Sequence, residues 1–181
     1  QKEIEKILIK NVDWLVSQKV KLVVLACNTA TVNGIEFLRN KYKDIKFVGL
    51  EPAVKPAAKV SKKGIIILSS EGTCKSDQLD GLIKKFIDRD SKIINIGSQE
   101  LVKAIEEKWK DEELKKIFGK IFKKENINNI DVVVLGCSHF PLVKKQMQKF
   151  LGDKFEIIDS GEAVARQAKK VLKNNALINQ S

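Results

Sequence analysis

Apolar residues recur along the chain in two rhythms. Ile4, Ile7, Leu8, Val12 and Leu15 fall on one face of a helix, which predicts a helix over Ile4–Gln18. Lys21–Ala26 then holds an unbroken apolar run, as a parallel strand buried on both faces does. The alternation continues with a helix over Thr31–Lys43, a strand over Lys46–Leu50, a turn or helix start at Glu51-Pro52 and a short helix over Ala53–Val60. At Gly64–Ser69 ("GIIILS") the pattern restarts with another buried strand, which runs into a loop, Ser70–Thr73. A helix over Ser76–Ile87 places Leu79, Leu82, Ile83 and Phe86 on one face. Next come a strand over Lys92–Ile96, helices near Gln99–Trp109 and Glu112–Asn126, and a strand over Asp131–Leu135. Helix Pro141–Phe150, strand Phe155–Ile158 and helix Gly161–Asn174 follow, and the tail 175–181 is expected to fray.

Strands alternating with helices define an α/β chain with mostly parallel sheets and right-handed crossovers. Two stretches are built alike: "LVVLACNTAT" (Leu22–Thr31) and "VVVLGCSHFPL" (Val132–Leu142). Each leads on to a helix, a strand and an acidic residue: Glu51 lies 24 residues after Cys27, and Asp159 lies 22 after Cys137. This two-copy repeat predicts two pseudo-symmetric Rossmann-like (flavodoxin-like) units. The second unit is expected over residues 61–159, and the first over 1–60 plus 160–181. The second unit has 73 residues between Gly64 and Cys137, whereas only 26 precede Cys27. By the repeat's logic the first unit is incomplete, lacking about 45 residues.

Composition narrows the options. The net charge is +11, but only three of the 34 basic residues are arginines, and the lysines lie beside Asp and Glu as on solvated helix faces. Aromatics at 6% are too few for an obvious base-stacking platform, so nucleic acid is not the expected main partner. No apolar run approaches the roughly 20 residues that span a membrane, and the N-terminus has no signal-peptide pattern. The expected location is the cytoplasm. Cys27, Cys74 and Cys137 are an odd, sparse set, so they read as reduced thiols. One histidine and no CxxC pair argue against a structural zinc.

In an open parallel sheet, ligands bind at the carboxyl ends of the strands. Cys27 and Cys137 stand just past such ends, where a helix is expected to start. A helix N-terminus raises the thiolate fraction of a cysteine, and its N–H groups bind carboxylates. If the halves face each other, two thiols flank one pocket. Opposed bases on either side of one carbon suit stereoinversion: one takes an α-proton and the other donates to the opposite face. Asn28, Thr29, Thr73 and Ser138 offer donors for the substrate's carboxylate, and His139 can exchange a proton with Cys137. Cys74 has no repeat partner and reads as a small buried hydrophobe.

"ACNTAT" (Ala26–Thr31) and "GCSHFPL" (Gly136–Leu142) resemble the two signature motifs of glutamate racemase, with Ser138 where threonine is usual. "GLEPAVKPA" (Gly49–Ala57) and "SSEGTCKS" (Ser69–Ser76) resemble two further segments of that family, in the same order. The resemblance implies interconversion of L- and D-glutamate by two bases, Cys27 and Cys137, without pyridoxal phosphate or metal. It also implies substrate contacts at Asn28, Thr29, Ser138 and His139, assistance of Cys137 by His139, and support of that histidine by Glu106. D-Glutamate would feed peptidoglycan synthesis. The expected partner is the small-molecule substrate, with a homodimer left open. An Asp-Ser-Gly loop and a Pro-Tyr-Gly loop of the family do not precede Cys27, so the chain as written is expected to racemise glutamate weakly or not at all. The alternatives are a racemase of aspartate or a related dicarboxylate, or an inactive remnant that only binds.

Overall fold

The computed structural model describes residues 2–123 and 127–179. In chain order the elements are α1 (Lys2–Ser17), β1 (Leu22–Leu25), α2 (Asn28–Lys41), β2 (Lys46–Gly49), α3 (Val54–Val60), β3 (Gly64–Ser69) and α4 (Glu71–Cys74). They continue with α5 (Asp77–Phe86), β4 (Lys92–Gly97), α6 (Gln99–Glu106), α7 (Asp111–Ile121) and β5 (Val132–Gly136). A 3-10 turn (Phe140–Val143), α8 (Lys144–Leu151), β6 (Glu156–Asp159) and α9 (Gly161–Asn174) complete the chain. The class is α/β, and among the described residues every strand pair is parallel and the strands form two sheets.

The chain divides into two compact units: residues 2–51 with 160–179, and residues 52–159. The larger unit is built on a four-stranded sheet in the order β4-β3-β5-β6. β3 and β5 are buried at every residue because both faces of the sheet are covered. On one face Ile66, Leu68, Val133 and Leu135 pack with Leu101, Phe118 and Met147. On the other, Ile65, Ile67, Val132 and Val134 pack with Val54, Ala57 and Leu79. Alternate residues of one apolar run thus serve two cores.

That second core corrects the expected boundary near residue 60. Val54 and Ala57 of α3 are fully buried against β3 and β5, so α3 belongs to the larger unit rather than to the first. The crossing from one unit to the other falls at Glu51-Pro52.

The smaller unit holds β1 and β2, paired from Leu22↔Lys46 to Leu25↔Gly49. Val23, Leu25 and Phe47 close a core with Val12 of α1 and with Ile35 and Leu38 of α2. Tyr42, at the end of α2, donates to Asp13 Oδ1 of α1 at 2.6 Å. Burial, then that bond and the Asp13 charge, push the phenol up to about 12. The unbroken run of β1 was expected to be buried throughout, but Val24 is 40% exposed among the described residues. The two-stranded sheet is closed on one face only at that position.

Three further expectations are corrected. Pro141 brings the helix expected over Pro141–Phe150 in through a 3-10 turn, and the α-helix starts at Lys144. The helix expected over Glu112–Asn126 ends at Ile121, and residues 124–126 lie outside the described residues. The tail is fastened over its described part, because Lys21 Nζ donates to Leu177 O at 3.3 Å and to Asn179 Oδ1 at 2.6 Å. Residues 180–181 lie outside the described residues. No helix among the described residues is long and apolar enough to cross a membrane.

Candidate active site

Each unit presents one cysteine at the carboxyl end of a strand. In the smaller unit Cys27 is the N-cap of α2, with extended backbone (φ −147°, ψ 123°), and its carbonyl accepts from Thr31 N at 2.9 Å. Its thiol is exposed. Asn28 is buried in the first turn of α2, and Thr29 beside it is half-buried. Thr31, which sequence reasoning passed over, fixes this strand end. Its hydroxyl donates to Leu25 O at 3.3 Å and accepts from Leu50 N at 3.0 Å, tying the end of β1 to that of β2. The hydroxyl's place in the run "NTAT" is the only sequence signal for that role.

The larger unit gathers more chemistry. Cys137 directly follows β5, whose Gly136 is in register with Ser69 of β3, so the loops after these strands leave the sheet side by side. The thiol is buried. It does not cap an α-helix as Cys27 does, because the 3-10 turn intervenes. A side chain serves it instead: Cys137 Sγ lies 3.6 Å from His139 Nδ1. His139 Nε2 lies 3.0 Å from Glu106 Oε1 at the end of α6. A carboxylate beside Nε2 needs a proton on that nitrogen, and this leaves the Nδ1 lone pair facing the thiol. In that tautomer a proton passing from the thiol to Nδ1 would leave an imidazolium beside the Glu106 carboxylate.

Glu106 is positioned by α6, which starts at Ser98. This buried N-cap serine accepts from Leu101 N at 3.1 Å. Thr73, expected in a loop, sits in the short helix α4. Ser70 caps that turn by accepting from Thr73 N at 3.4 Å, and its hydroxyl also donates to Thr73 Oγ1 at 3.1 Å. Thr73 is buried, whereas Ser138 is exposed on the turn after Cys137. The structure therefore brings together Cys137, His139 and Glu106, with Thr73 at the neighbouring strand end. Cys27, Asn28 and Thr29 stand together in the smaller unit. Burial pushes the half-buried Cys74 thiol up; Lys75 opposes this, and Asp80 and Glu71 add to it. This is the setting of an inert thiol. No group of three His, Cys, Asp or Glu side chains that could hold a metal ion occurs among the described residues.

The family model of Asp/Glu/Hydantoin racemase matches residues 2–168. A glutamate racemase of Clostridium novyi (strain NT) is 38% identical over 178 residues, covering 97% of this chain and 68% of the relative. One of Vibrio cholerae serotype O1 is also 38% identical, covering 93% of this chain and 64% of the relative. Among solved structures, Escherichia coli glutamate racemase in complex with L-glutamate and the activator UDP-MurNAc-ala matches with a TM-score of 0.84 at 34% identity. That match covers 94% of this chain and 65% of the other. The chain spans about two thirds of the length of these relatives. An α/β chain with a thiol at a strand end in each unit is thus matched by amino-acid racemases along nearly its whole length. It belongs to the Asp/Glu/Hydantoin racemase family, alongside the glutamate racemases.

Proposed function

We propose that the protein interconverts L- and D-glutamate by a two-base mechanism in which Cys27 and Cys137 act on opposite faces of the α-carbon. The observation that carries this reading is the Cys137–His139–Glu106 relay at the carboxyl end of β5, in a chain of the glutamate racemase type. His139 takes the proton of Cys137, and the thiolate then removes the α-proton of glutamate. The C–H bond breaks, an S–H bond forms, and the electron pair spreads onto the α-carboxylate. Cys27, as a thiol, donates a proton to the other face and becomes the thiolate; the reverse reaction exchanges the roles. Asn28, Thr29, Thr73, Ser138 and His139 hold the substrate by hydrogen bonds that strengthen as negative charge builds on its carboxylate. Glu106 acts through His139. The product D-glutamate would serve peptidoglycan synthesis in the cytoplasm.

The test is incubation of the purified protein with L-glutamate in deuterium oxide, followed by chiral chromatography and mass analysis of the α-position. D-Glutamate carrying α-deuterium is the expected result. Exchange with aspartate but not with glutamate would transfer the reading to another dicarboxylate. Binding of glutamate with no exchange at the α-carbon would overturn catalysis altogether.

A further inference from the structure

Lys144 breaks a local rule. A helix N-terminus carries partial positive charge, so acidic side chains suit its first turn and lysines do not. Yet α8 opens on Lys144-Lys145, with no acidic residue in its first turn and no side-chain cap. Lys144 Nζ instead lies 2.8 Å from Asp159 Oδ2 at the end of β6. Their side chains are 38% and 24% exposed. Every other Lys or Arg ion pair among the described residues leaves both partners at least 46% exposed. A choice that is poor for its own helix but satisfied across the fold points to a role beyond the helix.

What the pair encloses is the turn that carries the relay. Cys137 and Lys144 bound a segment with little regular structure. Its backbone bonds run from Phe140 N to Cys137 O (3.2 Å), from Leu142 N to His139 O (3.0 Å) and from Lys144 N to Pro141 O. Phe140 and Val143 are buried beneath it, which anchors one side. The outgoing end is held by Lys144 to Asp159, and Asp159 is in register with Leu135, two residues before Cys137. The ion pair therefore closes a ring from β5 through the turn to β6 and back to β5.

We propose that Lys144 and Asp159 are positioning residues for the Cys137–His139–Glu106 relay: their ion pair fixes the turn that sets His139 between the thiol and the carboxylate. The kinetic consequence rests on the racemase reading, but the first readout does not. His139 is the only histidine of the chain, so the imidazole nitrogen signals in a 15N NMR spectrum belong to it alone. Glu106→Gln supplies the spectrum of a broken relay. Lys144→Met and Asp159→Asn are expected to move the His139 ring signals in the same direction as Glu106→Gln, and Lys144→Arg to restore them. The urea midpoint should stay near wild type in Asp159→Asn, which preserves the side chain's shape should Lys144→Met fold poorly. In turnover, the kcat of Asp159→Asn should fall roughly tenfold or more, as small misplacements of a reacting group do, with little change in KM. Ring signals identical to wild type in both Lys144→Met and Asp159→Asn would overturn the proposal. If the wild-type protein does not turn glutamate over, the racemase reading fails, and the ring signals still decide the role of the pair.

Discussion

Two alanine substitutions at glycine should act with opposite sign, and together they test how the larger unit is held. Gly64 opens β3, which is paired on both sides, with β4 and β5. A Cβ there would lie 2.6 Å from Asn129 O and 2.7 Å from Lys92 O. Both neighbours are backbone, so neither can rotate aside, and an ordinary C···O contact begins near about 3.3 Å. The strand ends must separate by more than half an ångström, which strains the Gly64↔Lys92 pairing and the 3.1 Å bond from Asp131 N to Gly64 O. Overpacking of this kind costs about 1–3 kcal/mol. A weakened hydrogen bond adds about 1 kcal/mol. The lower unfolded-state entropy of alanine returns about 0.5 kcal/mol. Gly64→Ala should therefore destabilise by about 2–3 kcal/mol, a large share of a typical 5–15 kcal/mol. Gly81 lies inside α5 with nothing within 4 Å of a Cβ, so Gly81→Ala should stabilise by up to about 1 kcal/mol. Urea unfolding followed by Trp109 fluorescence reads the larger unit once Trp14, the other tryptophan, is replaced by Phe. A Gly64→Ala midpoint equal to wild type, or a Gly81→Ala loss as large as that of Gly64→Ala, would refute the close-approach argument.

Other outcomes follow from the same geometry. On the two-base proposal, Cys27→Ala and Cys137→Ala should each abolish racemisation, since inversion needs both proton transfers, while Cys74→Ala should leave turnover nearly unchanged; chiral analysis of glutamate checks all three. Glu106→Gln should lower kcat by roughly five- to tenfold, because Glu106 is largely exposed and its bond to the imidazolium is worth about 1 kcal/mol in water-rich surroundings; an unchanged pH–rate profile would remove Glu106 from the relay. Asp131 is partly desolvated, which raises its pKa, but hydrogen bonds from Lys62 N, Ser61 Oγ and Gly64 N outweigh this and hold its carboxyl below the usual range. The stability it contributes is complete above its unfolded value of about 3.9 and is lost as pH falls through the lower folded value. The difference in unfolding free energy between wild type and Asp131→Asn should thus be constant above about pH 5 and shrink in acid.

Strand identity and parallel pairing were legible because unbroken apolar runs such as Ile65–Leu68 have to be buried on both faces. The placement of Cys27 and Cys137 at strand ends was legible from the repeat. Glu106 was legible only through resemblance: it ends an amphipathic helix 33 residues before His139, and no spacing rule links positions so far apart. Ser98, Thr31 and the Lys144–Asp159 pair were missed for a related reason. A capping serine or a helix-opening lysine looks ordinary in sequence, and only the fold shows what its side chain reaches. The exposure of Val24 lay beyond reach as well, because an apolar run states what a strand can bury but not how much is covered.

The misplacement of α3 was avoidable, and the repeat itself supplies the reason. Assigning residues 160–181 to the first unit means that the chain changes units after the last strand of the second copy. The first copy is built alike, so its chain should also change units after its last strand, at Glu51, and the helix that follows should close the other sheet. The structure does this: α3 packs on β3 and β5, while α9, its counterpart in the repeat, belongs with β1 and β2. The two changeover points also touch, since the Ser160 hydroxyl donates to the Glu51 carbonyl. Symmetry in a duplicated sequence constrains connections as well as elements. An assignment that exchanges one closing helix and keeps the other breaks that symmetry, and the burial of Val54 and Ala57 is the physical sign that both were exchanged.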